Sequence, residues 1–167
     1  MRKMLWAGAL MSLALMTSTA ATGADKQLAV GSAKTDVDVA VVTEAPEHAS
    51  FSAHSTGNGC EATGHVSYKG FLFGPAAPPV DVEVDVTQLV IAGNAALFGG
   101  LVTKDNSDSG LEGEGMYFNA SDSGLAGGTG DTFAWEALAS PTRPCAEAFP
   151  GHPITSGNVV IKADPLP

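Results

Sequence analysis

Positive charge is scarce in this chain of 167 residues: eight Lys and Arg stand against eighteen Asp and Glu, a net charge of −10 at pH 7. A surface this acidic repels phosphate backbones and anionic headgroups, so nucleic acid and membrane surfaces are disfavoured as partners. Cationic partners and divalent metals are left open. Cysteine is scarcer still, with Cys60 and Cys145 alone, and neither belongs to a C-x-x-C. An even pair in an oxidising compartment reads as one structural disulfide rather than a redox couple. There is no G-x-S-x-G, no H-E-x-x-H and no phosphate-binding loop, which removes the motifs that announce common hydrolases, zinc proteases and nucleotide enzymes. No cofactor is expected. Apolar runs are short as well. The one from Met4 to Met16 has thirteen residues, below the roughly 20 that a helix needs to span a bilayer core.

That run has another meaning. Arg2 and Lys3 precede it, and small residues from Thr17 to Ala24 follow. A basic start, a short apolar core and a small-residue exit are the parts of a cleavable secretion signal. Residues 1–24 are therefore expected to be removed, with cleavage after Ala24 and with Ala20 and Ala21 as other permitted sites. The mature chain then has no segment for membrane insertion. Its net charge moves from −10 to −12, because Arg2 and Lys3 leave with the signal.

What is abundant is strand periodicity. From Cys60 to Lys69 the residues Cys60, Ala62, Gly64, Val66 and Tyr68 alternate with Glu61, Thr63, His65, Ser67 and Lys69. Val80, Val82, Val84 and Val86 alternate in the same way with Asp81, Glu83, Asp85 and Thr87. Period two, apolar on one face and polar on the other, marks a half-buried strand. The second series slips at Gln88, which a β-bulge near Thr87-Gln88 explains. Gly93-Asn94 then supplies a two-residue hairpin turn into a strand at 95–104. Further strands are expected at 49–56, 113–119, 131–138 and 158–163, separated by Gly, Asp, Asn, Ser and Pro clusters. About seven to eight short strands define an all-β fold, an antiparallel β-sandwich or small barrel, over 49–167. Residues 25–48 read as a flexible leader, because 24–34 lacks apolar periodicity, with a possible first strand through Val37, Val39 and Val41.

The candidate sites are few. Ser107-Asp108-Ser109-Gly110-Leu111-Glu112-Gly113 recurs as Ser121-Asp122-Ser123-Gly124-Leu125-Ala126-Gly127. Both copies resemble the opening of an EF-hand loop, but the twelfth position is Met116 in one and Gly130 in the other, where a bidentate Glu is needed. Asp122 and Asp131 stay as calcium candidates, while turn formation accounts for the same residues without metal. Glu61, His65 and Ser67 share a strand face at about 6.5–7 Å intervals, too far apart to relay a proton by themselves. His54 and His65 could approach on facing strands, yet no third metal ligand has a recognisable spacing; His48 and His152 are scattered. Trp135 falls in phase with Phe133 and Ala137 and is expected in the core rather than on a sugar-binding platform. Asp81, Glu83 and Asp85 form an acidic comb, read as a solvated face.

The run from Val86 to Val102, with its strand, Gly93-Asn94 turn and second strand ending Gly99-Gly100-Leu101-Val102, is followed by a Gly-rich strand and Asp122-Ser123-Gly124…Asp131. This ordered series resembles an uncharacterised family of small exported bacterial all-β proteins, over residues 49–163. The resemblance implies a secreted or cell-envelope protein and carries no catalytic residues. One departure is that in the family the partner of the late cysteine often lies near the position of Gln88, whereas here it is Cys60. The expected function is a non-catalytic binding or envelope-associated module, with an extracellular or envelope protein as possible partner. The alternatives are a secreted hydrolase with a dispersed site, or a protease inhibitor presenting the loop from Ser140 to Pro153. The secreted form should begin near Asp25. The intact mass of protein from culture supernatant checks this, and a product that retains Met4 to Met16 would end the export argument.

Overall fold

The structure is a computed structural model and describes residues 27–39, 42–56, 60–71, 78–138 and 152–163. The expected signal, Cys145 and all but the last two residues of the loop from Ser140 to Pro153 lie outside these. Nine strands occur among the described residues: β1 (Gln27–Val39), β2 (Val42–Ser55), β3 (Glu61–Gly70), β4 (Val80–Ala92), β5 (Ala95–Asp105), β6 (Gly115–Ser121), β7 (Thr132–Leu138), β8 (His152–Pro153) and β9 (Ser156–Ala163). One 3-10 turn, Ala126–Gly128, is the only helical piece among them. All pairings are antiparallel, in the order β8-β7-β6-β5-β4-β3-β2-β1-β9.

The sheet is a meander whose two ends meet. Pro153 at the end of β8 and Ser156 at the start of β9 are separated only by Ile154 and Thr155, so the strand beyond β7 and the strand beyond β1 are joined by a short link. Ile154 N–H donates to the Asp131 carbonyl just before β7, and Thr155 N–H to the Lys34 carbonyl in β1. The result is a nearly closed, barrel-like sheet, so the expected all-β antiparallel fold is observed, and of the two expected forms the barrel describes it. A cross-strand row starts at Val160 and passes through Val30, Ser52, His65, Asp85, Leu101 and Gly115 to Leu138. At the seam, however, Val159 meets Asp131. The row has therefore climbed along the strands in going round, as strands tilted to a barrel axis require.

Two local expectations are met. The β4–β5 register shifts between Val86 and Gln88, where the alternation places the bulge. Gly93 has φ +63° in the turn between Ala92 and Ala95, as a hairpin turn with glycine in its first central position requires.

The leader is a correction. Residues 27–39 are strand β1, paired with β2 along one edge and with β9 along the other, and β2 begins at Val42. The physical reason is size. The phase of β1 that faces the interior is Ala29, Gly31, Ala33 and Thr35, and the ring of Phe51 lies against it: a Cβ on Gly31 would sit 2.9 Å from Phe51 Cζ and 2.5 Å from the Asn158 carbonyl oxygen. Small residues fill that strand because a large one next door occupies the space, so period two is present but carries almost no hydrophobic signal.

Rings fill the interior. Phe51 stacks on Phe98 at 4.7 Å between centroids and on Phe133 at 5.9 Å; Phe118 lies 5.8 Å from Phe98, 5.7 Å from Phe133 and 5.8 Å from Tyr68; Tyr68 lies 6.0 Å from Trp135. Val66, Val82, Val84, Leu89, Val102, Met116 and Val159 close around them. Forcing a methyl-bearing side chain against Phe51 overpacks this core at a cost of about 1–3 kcal/mol. Gly31→Val should therefore lower the urea midpoint by that equivalent, and an unchanged midpoint would refute the contact.

Candidate functional site

Three polar arrangements stand out: one inside the barrel, one on its outer surface and one in the loops that close it.

The interior arrangement centres on Glu47, which is 5% exposed. In β2 it is in phase with the inward Ala49, Phe51 and Ala53, so the strand's own periodicity carries it inside. Thr35 Oγ donates to its Oε2 at 3.1 Å, and the Trp135 indole N–H to its Oε1 at 3.1 Å. β1, β2 and β7 are thus tied together through one carboxylate. Tyr68, fully buried, points its hydroxyl into the same region; among the described residues that oxygen makes no hydrogen bond of good geometry, and a Cβ on Gly70 would lie 2.4 Å from it and 3.1 Å from Glu47 Cγ. Burial, and then the Glu47 charge, push the phenol far above its ordinary value of 10.0. Among the described residues no basic side chain pairs with Glu47. Carboxylate and phenol together have the elements of acid–base chemistry, but both are enclosed by rings. Their observable effect is to fix three strands relative to one another. Trp135 packs against the core, as its phase predicts. Glu47 escaped the sequence reading, although its phase with Ala49, Phe51 and Ala53 was there to find.

The outer arrangement is the acidic comb of β4. His65 of β3 lies between Glu83 (Nε2 to Oε2, 3.6 Å) and Asp85 (Nδ1 to Oδ1, 3.7 Å), with 47% of its side chain exposed. Lys69 pairs with Asp81 at 2.6 Å and Lys104 with Glu83 at 3.8 Å. The Lys69 ammonium holds the Asp81 carboxyl below its ordinary value, against a modest opposing effect of burial. The comb is therefore a half-exposed charge lattice across β3, β4 and β5. His54 is exposed and sits opposite Thr63, diagonal to His65, which sits opposite Ser52. Glu61 pairs in register with Gln88. Glu61, His65 and Ser67 do share a strand, and the near neighbours of His65 are the two β4 carboxylates.

The sequence echo gives two different loops. In the first, Asp105 is the hub: its carboxylate accepts from the N–H groups of Ser107, Gly110 and Leu111 and from the hydroxyls of Ser107 and Ser109, at 2.6 to 3.2 Å. In the second, the residue matching Asp105 is Asn119, and the hub moves to Asp131. Asp131 Oδ1 accepts from Ser123 N–H at 2.9 Å and lies 2.9 Å from Ser123 Oγ, while Oδ2 accepts from Val159 N–H at 2.9 Å. Asp122 accepts from Gly124 N–H at 2.7 Å and from Ile161 N–H at 3.3 Å. Both calcium candidates thus spend their oxygens on backbone donors, and a cation there would have to displace them. Among the described residues no group of three or more His, Cys, Asp or Glu is arranged to hold a metal.

Comparison with family models, with curated proteins and with solved structures yields no match for this chain.

The two hubs predict a stability that falls in acid. Burial acts to raise both carboxyls, but the hydrogen bonds from Ser107, Leu111 and Ser109 hold Asp105 below 3.8, and those from Ser123 and Val159 do the same for Asp131. A depressed folded-state value gives stability that is complete above the ordinary value and is lost as the pH falls through the lower folded ones. Asp131→Asn should cost about 1–3 kcal/mol at pH 7 through weakened or lost acceptors and should flatten the fall of the urea midpoint below about pH 4. A variant whose acid limb matches the parent would show that Asp131 is not a titrating group.

Proposed function

We propose that this protein is an exported, non-catalytic binding module that acts at the cell envelope or outside the cell through the outer surface of its barrel. The observation that carries this reading is the division of labour between its two faces. The interior is occupied by stacked rings, and the polar cluster around Glu47 is enclosed and hydrogen-bonded across three strands. The charge lattice of β3, β4 and β5 lies open to solvent. The resemblance of residues 49–163 to small exported proteins points the same way, as does the signal expected at 1–24. A disulfide between Cys60 and Cys145 belongs to this reading, supported by the absence of a free cysteine among the described residues. The partner is an envelope or extracellular protein with a basic patch, because Asp81, Glu83 and Asp85 outnumber the two lysines beside them.

One observation favours a second reading. Glu47 beside Tyr68 is the sole buried carboxylate–phenol pair among the described residues, and a hydrolase with a dispersed site would be centred there. Fractionation of the producing cells separates the two. The binding module should be held in the envelope fraction, be released by about 0.5 M salt because exposed charges are screened, and be retained poorly as the Glu83→Lys, Asp85→Lys variant. Protein that is free in the medium irrespective of salt would count against it. A hydrolytic activity abolished in Glu47→Gln, with the urea midpoint retained, would replace it.

A further inference from the structure

Both ring nitrogens of His65 face a carboxylate: Nε2 stands 3.6 Å from Glu83 Oε2, and Nδ1 stands 3.7 Å from Asp85 Oδ1. A neutral imidazole carries one N–H and one lone pair, so it can donate toward only one of these oxygens. At the other, its lone pair would meet a negatively charged oxygen. Imidazolium has two N–H groups and serves both. The pose therefore suits the protonated ring.

Strand register puts the ring there. His65 sits opposite Asp85, and Ser67 opposite Glu83, so two outward carboxylates of β4 flank one imidazole. On the other edge of β3, His65 sits opposite Ser52, and the next outward residues of β2 are Ser50 and His54. Along β3 itself Thr63 and Ser67 come first in phase, then Glu61 and Lys69. Lys69 is committed to Asp81, and Lys104 of β5 reaches Glu83 Oε1 at 3.8 Å. Opposite Asp85, β5 offers the uncharged Leu101. Among the described residues His65 is thus the one cationic partner of Asp85.

The charge of the comb consequently depends on one proton. Asp81, Glu83 and Asp85 stand against Lys69 and Lys104, which leaves one surplus negative charge while His65 is neutral. Protonation of His65 removes it. Imidazole is the side chain that changes charge between about pH 5 and 8, and this ring is half exposed, so its proton exchanges directly with solvent. A lysine or arginine brought by a partner would seek the same two oxygens. Proton and partner compete for them, and by linkage each weakens the binding of the other.

We infer that His65 is a proton-operated counterion of the comb: neutral, it leaves Glu83 and Asp85 open to a basic partner, and protonated, it occupies them. The inference rests on the partner surface proposed above and adds the condition under which that surface lets go. Binding in neutral solution and release in mild acid follow. The barrel stays folded through this change, because the Asp105 and Asp131 carboxyls are held below 3.8 and their stabilising effect is lost only below about pH 4.

A fluorescently labelled heptalysine peptide is a suitable probe, since lysine keeps its charge well above the range where imidazole titrates. Its affinity for the full protein is read by fluorescence anisotropy at low salt, where exposed charges are least screened. The parent should bind at least about threefold more tightly at about pH 8 than at about pH 5.5. His65→Gln should show no such difference, whereas His48→Gln and His54→Gln should keep it. Equal affinity at the two pH values in the parent, or a difference retained in His65→Gln, overturns the switch and leaves the partner surface standing. Absence of heptalysine binding by the parent at the higher pH overturns the surface, and the switch with it. If His65→Gln does not fold, the Cε1–H resonance of His65 in the parent decides. Adding heptalysine at about pH 6.5 should lower the protonated fraction of that ring, as reciprocity demands. A fraction that stays constant while the peptide binds overturns the inference.

Discussion

The barrel depends on a carboxylate that stands in for a strand. β9 has one edge on β1, and its other edge would face β7 with bare N–H groups. Asp131 reaches across to accept from Val159, and Asp122 accepts from Ile161, so two side chains supply the acceptors that a neighbouring backbone would otherwise give. A buried N–H left without an acceptor costs about 1–3 kcal/mol, which makes these aspartates part of the sheet. Their loop is ordered from within: Ser123 bonds Asp131 by its N–H, and Asp122 exchanges hydrogen bonds with Asn94 in the β4–β5 turn. Turn, loop and last strand therefore form one hydrogen-bonded unit at the seam.

Inside, large and small residues are matched across strands. Phe51 is possible because Gly31 stands beside it, and the ring series from Phe51 through Phe98 and Phe118 to Tyr68 and Trp135 is continuous. Glu47 ends that series in a polar clasp. Placing a carboxylate there is costly unless its oxygens are satisfied, and Thr35 and Trp135 satisfy one each. The clasp joins residues from both halves of the chain, so it favours one register of β1 and β2 against β7 over slipped alternatives.

How much of this was legible follows from where the signal resides. β3 and β4 announce themselves because valines alternate with charges, and the bulge at Gln88 and the turn at Gly93-Asn94 were visible as breaks in that alternation. β1 was not, since a strand whose inward residues are Ala29, Gly31 and Ala33 looks like loop to any hydrophobic count. Glu47 was hidden for a related reason: a charge in the apolar phase is assigned outward unless its partners, here 12 and 88 residues away, are known. The paired Ser-Asp-Ser-Gly segments looked like equivalents, yet Asn119 cannot take the place of Asp105. The hub of the second loop therefore came from Asp131, outside the repeated motif.

The pairing of β1 with β9 joins Gln27 to Ala163, the first described residue to the last. In a polypeptide that emerges amino-end first, β1 and β2 are available for pairing long before β9 exists. Until then one border of β1 is an open template for any extended chain. Every other neighbour in the meander is local and quick to find, whereas this last contact closes the longest loop and comes late. The protein is thus most vulnerable to self-association in the interval between the arrival of its second strand and that of its last, and a chaperone that occupies the free border of β1 would act during that interval.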